Sequence, residues 1–131
     1  MMQDPAGELA KLLRGYGSKG AAQISVSLPC VVLAYDQDKG RASVQPLIQT
    51  GDFKPAPIPS VPVLGQRLSV GGGAEQEYIP VYKPGDVVLI VCADREIKNA
   101  LSGQVSRPDT NRQHSLNDAV IVGIFSTSLG R

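Results

Sequence analysis

Lys83-Pro84-Gly85-Asp86-Val87-Val88-Leu89-Ile90-Val91-Cys92-Ala93 decides the fold class. Proline and glycine stand at the turn-favoured positions of Lys83–Asp86, so a tight corner opens the segment. Val87–Ala93 is apolar on both faces and is expected to be the most buried strand. Beyond it, Asp94–Leu101 reads as one or two helical turns, capped by Asp94 and stopped by Gly103. Gln104–Gln113 is polar and loop-like, Ala119–Phe125 makes a last strand, and Ser126–Arg131 is expected to be a loose tail.

Working towards the N-terminus, the same β grammar recurs. Ile24, Val26 and Leu28 alternate with polar residues until Pro29 interrupts. Cys30–Tyr35 then leads to Asp36-Gln37-Asp38-Lys39-Gly40, a turn whose residues tolerate left-handed backbone. Ala42, Val44 and Pro46 alternate in the returning strand, so Cys30–Ile48 is predicted to be a hairpin. Thr50–Val63 carries Pro55, Pro57, Pro59 and Pro62, which confines it to an edge strand or an extended connection. Leu68 and Val70 begin a short strand that ends at Gly71-Gly72-Gly73. Ala74–Pro80 reads as an exposed loop feeding Val81-Tyr82.

The first residues read differently. Asp4 suits a helix cap, Pro5 the first helical position and Glu8 the positive end of the dipole. Leu9, Leu12, Leu13 and Tyr16 follow at i, i+3, i+4 and i+7, giving one apolar face before Gly15 and Gly17 stop the helix. So short a helix must pack on the body or on a neighbouring chain. The expected organisation is an N-terminal helix and linker over 1–20, a barrel over 21–125 and a C-terminal tail over 126–131. The fold class is mainly β: a small OB-like barrel of about five or six strands, since closure removes exposed edges.

Composition excludes several classes. The 131 residues suit one domain. Thirteen Lys and Arg against twelve Asp and Glu leave a net charge of +1, without the basic excess that phosphate contacts demand. Met1–Pro5 lacks a basic region followed by an apolar one, and no apolar run approaches the roughly 20 residues of a membrane helix. The chain is therefore expected to be made soluble in the cytoplasm, without stable membrane insertion. Cys30 and Cys92 sit singly in apolar runs and read as small buried hydrophobes.

Candidate chemistry is thin, and no catalytic, cofactor or metal residues are assigned. Gly15-Tyr16-Gly17-Ser18-Lys19-Gly20 has the spacing of a dinucleotide loop, but a helix precedes it and strand-like sequence follows, the reverse of what that site needs. Gly71-Gly72-Gly73 reads as a hairpin tip. His114 is the sole histidine; with Asp118, four residues on, it is expected to pin the loop before the last strand by hydrogen bonds. Three copies of it on a three-fold axis would be the one route to a metal. Arg107, Arg112 and Asp118 are expected to form ion pairs within the loop or across a subunit interface, where they would fix register more than add affinity.

Taken in order, these pieces resemble a known family. Leu28-Pro29-Cys30-Val31-Val32-Leu33-Ala34-Tyr35-Asp36 followed by Ala42-Ser43-Val44-Gln45-Pro46-Leu47-Ile48 is similar to the opening hairpin of the N-terminal domain of central spike proteins from contractile-tailed phages. Val61-Pro62-Val63, Gly71-Gly72-Gly73, Val81–Asp86 and Arg112-Gln113-His114-Ser115-Leu116-Asn117-Asp118-Ala119 follow in the family's order, so the likeness runs from about Ser27 to Gly123. The resemblance implies an OB-like barrel, assembled as a homotrimer on the tail axis, in the baseplate of the virion. Its partners would be baseplate hub or tail-tube proteins, with either a separate spike-tip protein docked below or the puncturing role reduced to a plug or adaptor. Family members usually continue into a β-helical needle; with Arg131 as its last residue, this chain is expected to be a head or adaptor without one.

Three functions compete at this stage. The leading expectation is a non-catalytic assembly protein, with Leu9, Leu12, Leu13, Tyr16, Arg107, Arg112, His114 and Asp118 as interface candidates. The alternative is an OB-fold module for single-stranded nucleic acid or oligosaccharide, disfavoured by the absence of tryptophan and the presence of only two phenylalanines and four tyrosines as stacking platforms. An enzyme such as a glycoside hydrolase would need two carboxylates flanking the bond. Asp36, Asp38, Asp86 and Asp94 instead fall in turns or caps that already account for them.

Overall fold

A computed structural model describes residues 6–13 and 26–130 of the chain. The first segment is a helix, α1 (6–13). Tyr16 and the glycines expected to end this helix lie outside the described residues. Seven strands follow: β1 (Ser27–Asp36), β2 (Arg41–Pro46), β3 (Ile58–Pro62), β4 (Gln66–Leu68), β5 (Gln76–Tyr78), β6 (Val87–Cys92) and β7 (Ala119–Ile124).

Five of them form one antiparallel sheet in the order β3-β2-β1-β6-β7. Its two edges meet: Val63, just past β3, bridges Ile121 of β7 in parallel fashion. That order and closure make an OB-like Greek-key barrel. Extra residues bend the sheet to close it. The β1–β2 register shifts between Val32 and Ala34, that of β2–β3 between Ala42 and Val44, and that of β6–β7 between Leu89 and Ile90. Such bulges increase local twist and bend the strand that carries them.

The hairpin expected over Cys30–Ile48 is β1–β2. Asp36 Oδ1 accepts from Lys39 N at 3.2 Å, and Gly40 takes the left-handed backbone at φ 62°. The proline-rich stretch supplies β3 beside β2, at the end of the sheet order, as proline requires. The corner before β6 is also as expected. Gly85 has φ 95°, which at the third position of Lys83–Asp86 specifies a type II turn. Asp86 N donates to Lys83 O at 3.0 Å, and Asp86 Oδ2 accepts from Lys83 N at 2.8 Å.

Several expectations need correction. Ala74–Pro80 is not all loop: Gln76–Tyr78 pairs with β4 in a separate two-stranded ribbon around the Gly71–Gly73 tip. Val70 lies in that tip and Val81-Tyr82 lies outside any strand. No helix starts at Asp94; only Ala100–Ser102 forms a 3-10 turn, with Asn99 at its N-cap and Gly103 closing it. Ser126–Ser128 is a further 3-10 turn rather than a loose tail, because Ser128 Oγ accepts from Val87 N at 2.9 Å.

A further correction concerns β6, which is fully buried on one face rather than both. Val88, Ile90 and Cys92 point into the core at 0–3% exposure, whereas Val91 on the other face is 36% exposed. The barrel interior takes one side of each strand; on the other side of β6, Val87 and Leu89 are half-buried and Val91 is exposed.

The core is Cys30 and Val32 of β1, Ala42 and Val44 of β2, Ile58 and Val61 of β3, Val88, Ile90 and Cys92 of β6, Ala119 and Ile121 of β7, and Tyr82. Tyr82 meets Tyr35 edge-to-face, with ring centroids 5.5 Å apart. Cys30 and Cys92 are free and buried, as their apolar surroundings led us to expect. Burial, reinforced by the neighbouring Cys92, pushes the Cys30 thiol up to about 11; burial and then Asp118 raise Cys92. Since the thiolate is the reactive form, neither cysteine should react with a soluble disulfide reagent at pH 8 while the chain is folded, and both should react in denaturant. Rapid labelling of the native chain would contradict this packing.

Candidate functional site

β6 ends at Cys92 and β7 begins at Ala119, so residues 93–118 form one long excursion from the barrel. Such a segment must satisfy its own backbone and polar groups locally, and an acid–base cluster does this. Asp118, in the 3-10 turn Leu116–Asp118, is 1% exposed. Arg112 grips it with two parallel bonds, Nε to Oδ2 at 2.7 Å and Nη2 to Oδ1 at 2.9 Å. Ile97 N donates to the same Oδ1 at 3.3 Å. The guanidinium bonds hold Asp118 below the usual carboxylate range, against the opposing effect of burial, and the Ile97 amide adds to the lowering.

Glu96 is the second buried acid, at 7% exposure. Its Oε2 lies 3.4 Å from Arg112 Nη1 and accepts from Thr110 Oγ1 at 2.8 Å, while Oε1 accepts from Asp109 N at 3.1 Å. Arg112 therefore bridges two carboxylates from opposite ends of the excursion, and Glu96 ties in its middle. Asn99 adds a further tie, with Nδ2 donating to Arg107 O and to Asp109 Oδ1, both at 3.0 Å.

His114 and Asp118 do pin the loop, though through other partners than each other. His114 Nε2 is 3.1 Å from Asp94 Oδ1, and its backbone N donates to Asp94 O at 3.3 Å. The two ends of the excursion are thus stitched by Asp94–His114, by Glu96–Arg112 and by the Ile97 amide on Asp118. His114 has a positive φ of 45°, and its Nδ1 is buried without a hydrogen-bond partner. Arg107 makes no ion pair among the described residues.

Glu96, Thr110 and Asp109 went unrecognised in the sequence. The signal available was a spacing of sixteen residues between Glu96 and Arg112 with no apolar periodicity between them, which does not by itself announce contact. Among the described residues, no group of three or more His, Cys, Asp or Glu is placed to hold a metal ion, and no helix is long and apolar enough to cross a membrane.

A cleft of about 310 Å³ opens between this excursion and the β2–β3 corner, with Arg41, Ser60, Lys98, Leu101, Arg112 and Asp118 among its lining. Arg41 Nη1 donates to Ser60 O at 2.9 Å, and Ser60 holds a left-handed φ of 58°. In OB barrels this side, bounded by the second and third strands and the loop between the last two, is the usual place for a ligand.

The interface candidates on α1 lie apart from this cluster. Leu9, Leu12 and Leu13 are 55%, 55% and 61% exposed, so the apolar stripe of α1 is more than half open. On the barrel, Val31, Leu89 and Val120 share the outward face with Val91 and Val122, of which the last two are 36% and 45% exposed. A Cβ built on Gly123, also on β7, would meet nothing within 4 Å.

A family model described as phage protein Gp138 N-terminal domain matches residues 28–123 of the chain. No curated protein matches it.

Proposed function

The chain belongs to the phage protein Gp138 N-terminal domain family, and from that premise we propose that it is a non-catalytic structural part of the virion, a trimeric head or adaptor on the tail axis that joins the baseplate hub to the tail tip. The observation that carries this reading is the extent of the match: residues 28–123 run from the first barrel strand to the last. The family therefore describes the barrel itself.

Two features support a structural rather than a chemical role. The buried acids are spent on local order: Asp118 on Arg112 and Ile97, Glu96 on Thr110 and Asp109, Asp86 on Lys83. The apolar surface left over, on α1 and on the outer barrel face, suits burial against other copies or neighbours in an assembly. Light scattering on the purified chain should give three times the 13.8 kDa of one chain. A monomer that persists at micromolar concentration would sink the trimer.

The second reading, an OB module for single-stranded nucleic acid or oligosaccharide, draws on the cleft and its three cations, Arg41, Lys98 and Arg112. Arg112 is already neutralised by two carboxylates, and no aromatic side chain lines that cleft, where stacking platforms are the usual source of affinity. Titration with oligonucleotides at low salt should show no saturable binding; salt-sensitive micromolar binding would favour this second reading.

A further inference from the structure

The cleft between the 93–118 excursion and the β2–β3 corner holds two cations that the Arg112 cluster does not use. Arg41 gives the protein only Nη1, to Ser60 O at 2.9 Å, and its Nε and Nη2 find no acceptor among the described residues. Lys98, exposed on the facing wall, makes no side-chain hydrogen bond or ion pair among them either. Ser60 presents its carbonyl to Arg41 from a left-handed backbone at φ 58°. A residue with a Cβ disfavours that conformation, and such outliers cluster where a site is being shaped.

We propose that this cleft receives one carboxylate side chain from a neighbouring polypeptide, held between Arg41 and Lys98. The chain itself shows the recognition. Arg112 grips Asp118 through Nε and Nη2 in two parallel bonds, and the same Nε–Nη2 edge is the one that Arg41 leaves open. That edge matches the two oxygens of a carboxylate.

Charge and size narrow the ligand. The Arg112 guanidinium faces the two carboxylates of Asp118 and Glu96, so Arg41 and Lys98 leave the cleft with an excess of one positive charge. One carboxylate matches that excess. A phosphate chain would exceed it and would set like charges against the two buried acids. Pro62, Ile97 and Leu101 add an apolar lining, with Leu101 62% exposed, so an aliphatic residue should flank the acid. The volume, about 310 Å³, is at the small end of ligand sites, roughly 300–1,000 Å³, and suits a side chain or two. A protein source follows from the assembly reading above, on which this inference rests.

The test titrates a capped leucyl-aspartyl-leucine tripeptide into the isotope-labelled full chain at low salt, followed by amide resonances. Saturable shifts are expected at Arg41, Ser60, Lys98 and Leu101, with a dissociation constant in the millimolar range. The asparagine counterpart should bind roughly tenfold more weakly or not at all. Arg41→Lys keeps the charge and loses the fork, and should weaken the acidic peptide by roughly tenfold. Lys98→Gln changes an exposed position, so it should weaken binding several-fold with the circular dichroism unchanged. Absence of saturable shifts at the cleft, or equal binding of the asparagine peptide, would overturn the proposal. Tighter binding of inorganic phosphate or an oligonucleotide in the same cleft would overturn it too. A chain that scatters light as a monomer yet binds the acidic peptide would sink the trimer and keep the cleft, which is built within one chain.

Discussion

Arg112→Leu is expected to lower folding stability by more than about 1 kcal/mol but by less than the roughly 3–5 kcal/mol of a fully buried ion pair, because the Arg112 side chain is 32% exposed. The substitution strands Asp118 and Glu96, whose side chains are 2% and 3% exposed, as two buried negative charges. The cost comes less from the lost bonds than from carboxylates that can no longer be solvated. Urea denaturation followed by circular dichroism would measure it. A loss under about 1 kcal/mol, typical of exposed ion pairs, would mean that water reaches the cluster in solution.

The pH dependence should change sign, which separates this mechanism from mere loss of packing. In the native chain Arg112 lowers the Asp118 pKa. The unfolded state then binds more protons in acid, so the contribution of Asp118 is fully present above its unfolded pKa and is lost as pH falls through the folded one. With Arg112→Leu the Asp118 carboxylate stays buried but loses the guanidinium that lowers its pKa, so burial should raise its folded pKa above the unfolded one. Protonation then favours the folded state, so acidifying from pH 7 towards 5 should recover part of the lost stability. A variant whose stability falls monotonically over that interval would contradict the account.

The sequence announced the barrel where burial is one-sided and the strands are long enough to alternate. Ala42 and Val44 read correctly because each faces the core between outward neighbours. β6 read correctly as a strand and incorrectly as doubly buried, because an apolar residue signals the capacity for burial and not its presence. Val91 shows the difference: its side chain faces outward whatever its chemistry, and it is 36% exposed. The ribbon was half-legible: Leu68 announced its first strand and Gly71–Gly73 its tip, but Gln76–Tyr78 was missed because every residue in it is exposed and no periodicity arises. The Arg112–Asp118 pair was half-legible: a short spacing and opposite charge suggested it, while Glu96 required knowing that residues 93–118 fold back on themselves. Asp94 was misread as a helix cap because its chemistry suits that role, and His114 competes for the same carboxylate.

Ile121→Ala should cost about 3–4 kcal/mol and lower Tm by roughly 10–20 °C, more than its position on the last strand would suggest. In an open sheet β7 would be an edge, and a residue there would lose little on truncation. Ile121 instead is 0% exposed, lies opposite Ile90 within the sheet and bridges Val63 across the seam that closes the barrel. Truncation leaves a void touched from both sides, and neither side can collapse without opening the seam. Ile121→Val, removing one methylene, should cost only about 1 kcal/mol, and Val122→Ala, one residue along on the outer face, should fall within about 0.5 kcal/mol of wild type in the isolated subunit. Hydrogen exchange adds a readout specific to closure. The Val63 amide, bonded to Gly40 O at 3.0 Å, sits beside the seam and should lose protection in Ile121→Ala beyond what the global destabilisation accounts for, whereas the β1–β6 amides should follow the global loss. Equal loss of protection across the sheet would show that β7 contributes packing alone, and that the barrel holds together without its last contact.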